Sequence, residues 1–461
     1  MLRLRPAFSG GIRLPAAERR ADEAAIRQLP FAPQLFLPLR QHAGSAAVAA
    51  VRAGDEVLRG QLLARPEDDS AVPLHAPATG RVVRITEQRD IFRSMTGKTA
   101  GNTTGDTVGV IELAPLAGDT QEYSGGRTHD PDRSSADDLL AAIREAGIVG
   151  LGGEAGPTHL RLARARERGA RVLVINGIEG EPGFSRVPAL LARHGADVLT
   201  GLRCLGKVLG TDQAVLAVED ADCAAARSMF TAAPDARLPA LCVLPPRYPQ
   251  GAAELLLRVL AGRSFDGHRA FAAAEAVVFS LATVAEVGRL LSRGLAMTDQ
   301  LITLAGDGLR HPGNYRVPLG TPVGFALEHA GLRPELDRVL AGGPMRGQAL
   351  ASLGRPIIKG ATGFVAVAAS EAASVPAPMP CIRCGECVAA CPLELHPAEL
   401  GLLARKDEVQ AMVEDFQLDR CFECGCCAYV CPSHIPLVQM FRAAKAQWRR
   451  SEARTAGEGA I

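Results

Sequence analysis

Charge of one sign is missing from this 461-residue sequence: 51 lysines and arginines face 50 aspartates and glutamates. That balance leaves no basic footprint for nucleic acid. Long apolar runs are missing too, since no uninterrupted stretch reaches the length that spans a bilayer. The opening Met-Leu-Arg-Leu-Arg-Pro leads into no apolar core of a secretory signal. A soluble or membrane-peripheral protein of the cytoplasm is therefore expected. Aromatic residues make up only 4%, with Trp448 the single tryptophan. Glycine and proline, by contrast, number 48 and 31, which suits many short strands and turns. A hydrophobic content of 47% is enough for a sizeable core, and a chain of this length should hold three or four domains.

Cysteine is present in quantity and unevenly placed. Cys204, Cys223 and Cys242 are scattered and read as buried thiols in a reducing compartment. The rest crowd into two runs, Cys381-Ile-Arg-Cys384-Gly-Glu-Cys387-Val-Ala-Ala-Cys391-Pro392 and Cys421-Phe-Glu-Cys424-Gly-Cys-Cys427-Ala-Tyr-Val-Cys431-Pro432. Both follow C-x-x-C-x-x-C-x-x-x-C-P, the spacing of bacterial two-cluster ferredoxins. Two-residue gaps let the backbone curl around a cubane and present three thiolates to it. The fourth cysteine opens a helix directed away, so it serves the other cluster. Cys381, Cys384, Cys387 and Cys431 are assigned to one [4Fe–4S] cluster, and Cys421, Cys424, Cys427 and Cys391 to the second. The trailing prolines suit a first helical turn, where a missing N–H costs little. Paired C-x-x-C motifs also build zinc sites, but four evenly spaced cysteines plus proline, occurring twice, favour iron–sulfur. Disulfides fit the clustering poorly. Cys426 is left over and reads as a packed thiol or a redox-tuning neighbour.

Upstream, residues 1–37 read as an N-terminal arm. Residues 38–119 read as a small β domain, with strands at Val48–Val51, Val57-Leu58 and on either side of a Thr79-Gly80 turn. Its V-x-x-G-D-x-V-x-x-G-Q-x-L pattern resembles the barrel-sandwich fold of biotinyl and lipoyl carriers. The stretch from Ala64 to Ala71 has no lysine to carry a prosthetic group, so the domain is expected to be scaffold, with His75 a packing histidine. Residues 120–134 form a polar linker, and Ser135 caps a helix to about Ala146. Residues 135–275 alternate helix and strand, including a helix from Val187 to Leu209. Two loops stand out there. Gly147-Ile-Val-Gly150-Leu-Gly152-Gly153-Glu154-Ala-Gly156-Pro157-Thr158 runs into a helix and can free N–H groups for a phosphate, with Arg161 one turn on. The strand Arg171–Asn176 ends in the acidic loop Gly177-Ile-Glu179-Gly-Glu181-Pro182-Gly183, at a carboxyl end where α/β folds place ligands. Residues 276–370 look like a β-grasp domain of the soluble-ligand-binding type, read as a packing module. Residues 376–450 hold the clusters and end in a basic helix, Ile435–Arg449, whose apolar stripe is either a partner or membrane-surface face or, the commoner case, the face that packs onto its own domain. Thr455–Ile461 is expected to be disordered.

The order of these parts resembles the RnfC (RsxC) family, a peripheral subunit of Rnf ion-translocating ferredoxin:NAD oxidoreductase complexes. The resemblance spans nearly the whole chain and rests on Phe8-Ser-Gly-Gly-Ile12, His75-Ala-Pro77, Leu304-Ala-Gly-Asp307, Gly342-Gly-Pro-Met345, both cysteine runs and Cys431-Pro-Ser-His-Ile-Pro-Leu-Val-Gln439. It implies a multidomain α/β and α+β chain whose middle domain is like the flavin subunit of respiratory complex I. It implies FMN and NADH at Gly150, Gly152, Gly153, Pro157, Thr158, Arg161, Asn176, Glu179 and Glu181, with the two glutamates positioning nicotinamide and ribose. It also implies docking to membrane-embedded Rnf partner subunits and to the iron–sulfur RnfB partner, on the cytoplasmic face of the inner membrane. Relatives usually read G-G-A-G-F-P-T followed by lysine, where this chain has Glu154 and Arg161. Their E-C-E-P-Y loop and following aspartates are replaced by Glu179-Gly-Glu181-Pro182-Gly183, Val187 and Pro188. The alternative reading is a flavin-less iron–sulfur adaptor with a degenerate nucleotide site.

Overall fold

A computed structural model describes residues 2–3, 8–14, 25–92, 107–116, 121–124, 126–233, 238–263, 271–373 and 376–458. At its centre is a five-stranded parallel sheet in the order Leu2–Arg3, Ala240–Leu244, Ala214–Glu219, Val172–Gly177, Ala276–Ser280. The four inner and long-edge strands, Ala240–Leu244, Ala214–Glu219, Val172–Gly177 and Ala276–Ser280, are short aliphatic runs buried on both faces, as parallel strands must be when helices cover each side. Alternation divides them cleanly. Leu173, Ile175, Leu216, Val218, Leu241 and Val243 face one core with the helices Ala136–Glu145 and Gly195–Leu209. Val172, Val174, Val215, Ala217 and Cys242 face another, shared with the helix Ala253–Leu260 and with Leu395, Leu400 and Phe441 of the cysteine-rich unit. The cluster-bearing unit is thus packed through one continuous core against the back of the α/β sheet.

Two expectations need correction here. The single helix expected over 187–209 is two, Arg186–Arg193 and Gly195–Leu209, broken at His194, whose backbone is not helical. The boundary expected at residue 275 is too early: strand Ala276–Ser280 completes the parallel sheet, and helix Leu281–Arg293 packs on it through Leu281, Val284 and Val287. Ser135 does cap its helix, in a reciprocal box with Asp138.

The barrel-sandwich part has two small antiparallel sheets. One orders Leu35–Pro38, Thr107–Pro115, Gly80–Arg89 and Glu56–Val57; the other Val48–Ala49, Leu62–Arg65 and Leu74–His75. Leu35, Leu63, Val82 and Ile111 close its core. The β-grasp part is a six-stranded sheet around Asp299–Ala305 and Gly363–Ala368, backed by helix Val323–His329. The expected N-terminal arm threads through all three: Leu2–Arg3 edges the parallel sheet, Ile26–Gln28 edges the β-grasp sheet, and Leu35–Pro38 enters the sandwich. The final helix, Leu437–Glu458, continues through positions where disorder was expected, while 459–461 lie outside the described residues. Among the described residues no helix is long and apolar enough to cross a membrane.

The three units meet at Lys359, which is fully buried and donates from Nζ to Pro73 O at 2.8 Å and Gly147 O at 2.7 Å. Burial lowers its pKa to about 7. Burial likewise lowers His42 to about 4 and His75 to about 3, with the Lys359 charge a smaller cause for each. Both histidines stay neutral in the fold but protonate near 6.5 in the unfolded chain. Between 6.5 and about 4 the unfolded chain therefore binds more protons, and stability falls as pH falls through that window. Denaturant midpoints at pH 7.5 and pH 5 should drop together with pH. The drop should shrink in His42→Phe, and an unchanged pH dependence there argues against the assignment.

Candidate functional site

A cavity of about 510 Å³ lies across the carboxyl ends of the parallel strands. Asn176, Glu219 and Ser280 stand at or just past three of those ends, and the Pro246–Gly251 turn follows the fourth. This is where open α/β sheets bind ligands, and the size suits a nucleotide. Gly150, Gly152 and Gly153 line it, together with Arg161, Asn176, Glu179 and Glu181. Pro157 and Thr158 do not line it; both are buried behind the loop, with Pro157 capping helix Thr158–Glu167. His75 also lies away from the cavity, in a sandwich strand.

The polar groups brought together here are already engaged with one another. Glu154 forms an ion pair with Arg161, whose guanidinium also sits 5.2 Å from the Phe279 ring centroid. Glu179 accepts from Arg186 at 3.3 Å and from the Val187 N–H at 3.0 Å. Glu181, buried, accepts from Arg346 Nε at 2.7 Å and from the Met345 N–H at 3.0 Å. Asn176 donates to Gly251 O at 2.8 Å and accepts from the Ile178 N–H, so its amide shapes the acidic loop. The glutamates thus set the walls of the cavity rather than offering free carboxylates to a ligand.

Sequence reasoning missed the opposite wall. The Gly342–Gly347 turn of the β-grasp part reaches into the site. A side chain at Gly343 would collide with Glu181, since a Cβ there would stand 2.2 Å from its Oε2. Cys421, Phe422 and Glu423 of the second cysteine run also line the cavity, as do Arg442, Lys445 and Arg449 of the final helix. Arg442 and Lys445 both pair with the buried Glu423, at 2.8 and 3.3 Å. The only trace of this in the sequence is the helical spacing of those three cations on a face apart from the apolar stripe.

The two cysteine runs fold alike. Arg383, Gly385 and Glu394 adopt left-handed backbone in the first, and Glu423, Gly425 and His434 do so at the matching places in the second. These turns curl each loop inward and aim N–H groups at sulfur: Arg383 to Cys381 Sγ and Glu423 to Cys421 Sγ, both at 3.4 Å. Cys381, Cys384, Cys387 and Cys431 line one small cavity; Cys391, Cys421, Cys424 and Cys427 line another. Neighbouring thiols also shift one another's ionisation. The Cys387 thiol is raised by burial and then by Cys384, Cys431 and Cys381. The Cys427 thiol is raised by burial, then by Cys424, Cys421 and Cys391, and least by Cys387 of the other set. Thiols such as Cys387 and Cys427, whose ionisation burial and their neighbours disfavour, are relieved by a cationic iron–sulfur core. In each set the four thiols surround one space. A zinc site draws all its sulfurs to about 2.3 Å from one ion, whereas a cubane takes each thiolate on a different iron. The donor sets fit [4Fe–4S] clusters. Cys426 lines neither cavity and packs buried against Tyr248 and Ala390.

Comparison with known proteins follows the same divisions. Family models match as "RnfC Barrel sandwich hybrid domain" over residues 6–99, "Nuo51 FMN-binding domain" over 143–289, "SLBB domain" over 301–349 and "4Fe-4S dicluster domain" over 380–435. The C subunit of the proton-translocating ferredoxin:NAD(+) oxidoreductase complex of Clostridium ljungdahlii is 30% identical over 420 residues, covering 89% of this chain and 87% of that one. The chain belongs to the RnfC family. The C subunit of the ion-translocating oxidoreductase complex of Pseudomonas aeruginosa is 36% identical over 96% of this chain. Its counterpart in Citrobacter koseri is 32% identical over 95%. The chain spans only 56% and 61% of those two relatives' lengths. A solved NAD+-reducing [NiFe]-hydrogenase chain is similar at 20% identity and a TM-score of 0.47, covering 68% of this chain and 64% of that one, too distant to bear on chemistry. This RnfC-family chain therefore carries an FMN-binding domain of the Nuo51 type and a two-cluster 4Fe–4S domain.

Proposed function

We propose that this chain is the electron-transfer subunit of a membrane-bound Rnf-type complex. It would pass electrons between NADH, by way of FMN in the main cavity, and partner subunits by way of two [4Fe–4S] clusters. The whole complex couples that flow to ion translocation, with this subunit on the cytoplasmic face beside membrane-embedded subunits and the iron–sulfur RnfB partner. The observation that carries the reading is the shared wall: Gly150–Gly153 and Cys421-Phe422 line the same cavity. A flavin there supplies the exchange between two-electron nicotinamide and one-electron cluster chemistry.

The chain's own residues then have distinct tasks. The glycine loop and Arg161 bind phosphate. Glu179 and Glu181, held by Arg186 and Arg346, fix the acidic loop against the β-grasp turn. Cys421, Cys424, Cys427 and Cys391 hold the inner cluster; Cys381, Cys384, Cys387 and Cys431 hold the outer one. Cys384 is exposed, and Ile382 and Met379 beside it are 67% and 53% exposed, which supports the outer cluster as the exit to a partner. The flavin-less adaptor remains a second reading because the Glu154–Arg161 pair occupies the phosphate-binding cation.

Anaerobically purified protein should show a broad brown cluster absorption and, after FMN is added, saturable flavin binding and bleaching by NADH. Cluster absorption with no flavin binding would leave the adaptor reading; no cluster absorption would overturn both.

A further inference from the structure

We infer that Arg449, on the final helix of the cluster-bearing unit, binds a phosphate of the nucleotide that enters the main cavity. The site is then built jointly by the α/β unit and the cluster unit. The inference rests on the nucleotide reading above and assigns it a residue from outside the nucleotide-binding fold.

Arg449 differs from the cavity's other cations in that a phosphate reaches it without breaking a contact the chain already makes. Arg161 is paired with Glu154, Arg186 with Glu179, and Arg346 with Glu181. Arg247 donates from Nε to Gly10 O at 2.7 Å and lies over the Phe8 ring. Arg442 is held by Glu423 and by Gly347 O at 3.2 Å. Lys445 is held by Glu423 and by Cys421 O. Arg449 follows Lys445 by about one turn on the same helix face. It lines the cavity, half-buried, and among the described residues its side chain has no hydrogen bond or ion pair.

The charge on that wall points the same way. The cluster unit contributes one carboxylate, Glu423, against Arg442, Lys445 and Arg449. Its side of the cavity is therefore net positive, and the unsatisfied charge is a guanidinium, whose planar fork matches phosphate oxygens. Across the cavity, Arg161, Arg186 and Arg346 are each matched by a glutamate. An anionic ligand held between the walls meets its uncompensated cation at Arg449. Two ligands bring such a phosphate to this cavity, FMN with its monoester and a nicotinamide dinucleotide with its pyrophosphate. The shared chemistry is a nucleotide phosphate.

The test uses the full chain with its clusters loaded, under anaerobic conditions, titrated separately with FMN, NADH and ADP-ribose. Arg449→Gln is compared with wild type, with Arg449→Lys, and with Arg450→Gln, a change at the exposed neighbouring position. Losing a bidentate charged contact should weaken binding about tenfold, with partial recovery in Arg449→Lys and none of the loss in Arg450→Gln. Loss shared by NADH and ADP-ribose, with FMN unchanged, places Arg449 on the dinucleotide; loss confined to FMN places it on the flavin phosphate. Iron content must match wild type, and if Arg449→Gln loses iron, Arg449→Lys with full iron decides. Wild-type affinity for all three probes in Arg449→Gln overturns the inference while leaving the nucleotide reading in place. A wild-type protein that binds none of the three overturns that reading, and this one with it.

Discussion

Replacing Cys391 with serine is expected to abolish the signal of the cluster formed with Cys421, Cys424 and Cys427, and to leave the cluster of its own run intact. The reason is geometric. Cys391 closes the first run in sequence, but its thiol lines the cavity of the second run, and Cys431 lines that of the first. A short helix at each third cysteine, Glu386–Ala389 and Cys426–Tyr429, carries the chain from one cavity to the other. A lost thiolate exposes one iron to exchange, and an alkoxide ligand is a poorer match for it than sulfur. Iron per chain should fall by up to half, and anaerobic electron paramagnetic resonance should retain one cluster spectrum. A companion change, Cys384→Ser, should remove the complementary signal. The sharp outcome is the fate of the inner cluster, because Cys421 borders the main cavity while Cys384 is exposed. Reduction by NADH should therefore fail to reach any cluster in Cys391→Ser, yet still reach the inner cluster in Cys384→Ser. If Cys391→Ser and Cys384→Ser lose the same signal, the crosswise arrangement is wrong.

What could be read in advance depended on how far apart the cooperating residues lie in sequence. The cluster loops were legible because everything they need is local: two-residue gaps, a glycine at Gly385 and Gly425 where the backbone turns left-handed, and a proline after the last cysteine. Strand Val172–Gly177 and the glycine loop were legible for the same reason. The boundary at 275 was misplaced because Ala276–Ser280 looks like any short apolar run until its neighbours are known. Its partner is Val172–Gly177, far back in the chain. The helix break at His194 was hidden by continuous apolar periodicity on either side. The cavity's far wall was the least legible part. Glu181 and Arg346, or Arg442 and the Gly342–Gly347 turn, become neighbours only when three units pack. The glutamates seemed free to meet a ligand because their partners were invisible, and a buried carboxylate requires such partners.

Removing Arg161 is expected to weaken FMN binding about tenfold or more, and removing Glu154 is expected to strengthen it several-fold. The two side chains form one ion pair at the mouth of the glycine loop, with 34% and 45% of their side-chain surfaces exposed. An exposed pair of this kind contributes only about 0–1 kcal/mol, so a ligand phosphate can break it at small cost. A hydrogen bond to a charged group contributes roughly 1.5–3 kcal/mol, and a guanidinium offers two at once to a phosphate. Arg161→Ala therefore loses the main cation on the flavin side of the cavity. Glu154→Ala removes both the competing partner and a like charge. At an effective dielectric near 20, one nearby carboxylate opposing a phosphate costs on the order of 1 kcal/mol or more after screening, or about fivefold in affinity. The double variant separates the two contributions: if Glu154 acts only through Arg161, Glu154→Ala should have no effect once Arg161 is alanine, and any residual gain measures direct repulsion of the phosphate. Flavin fluorescence titrations of the cluster-loaded chain read all four proteins. Saturable binding that strengthens in Glu154→Ala and weakens in Arg161→Ala supports a flavin whose retention is limited by this pair. Should wild type and Glu154→Ala both fail to saturate, the cavity holds no flavin and the chain relays electrons through its clusters alone.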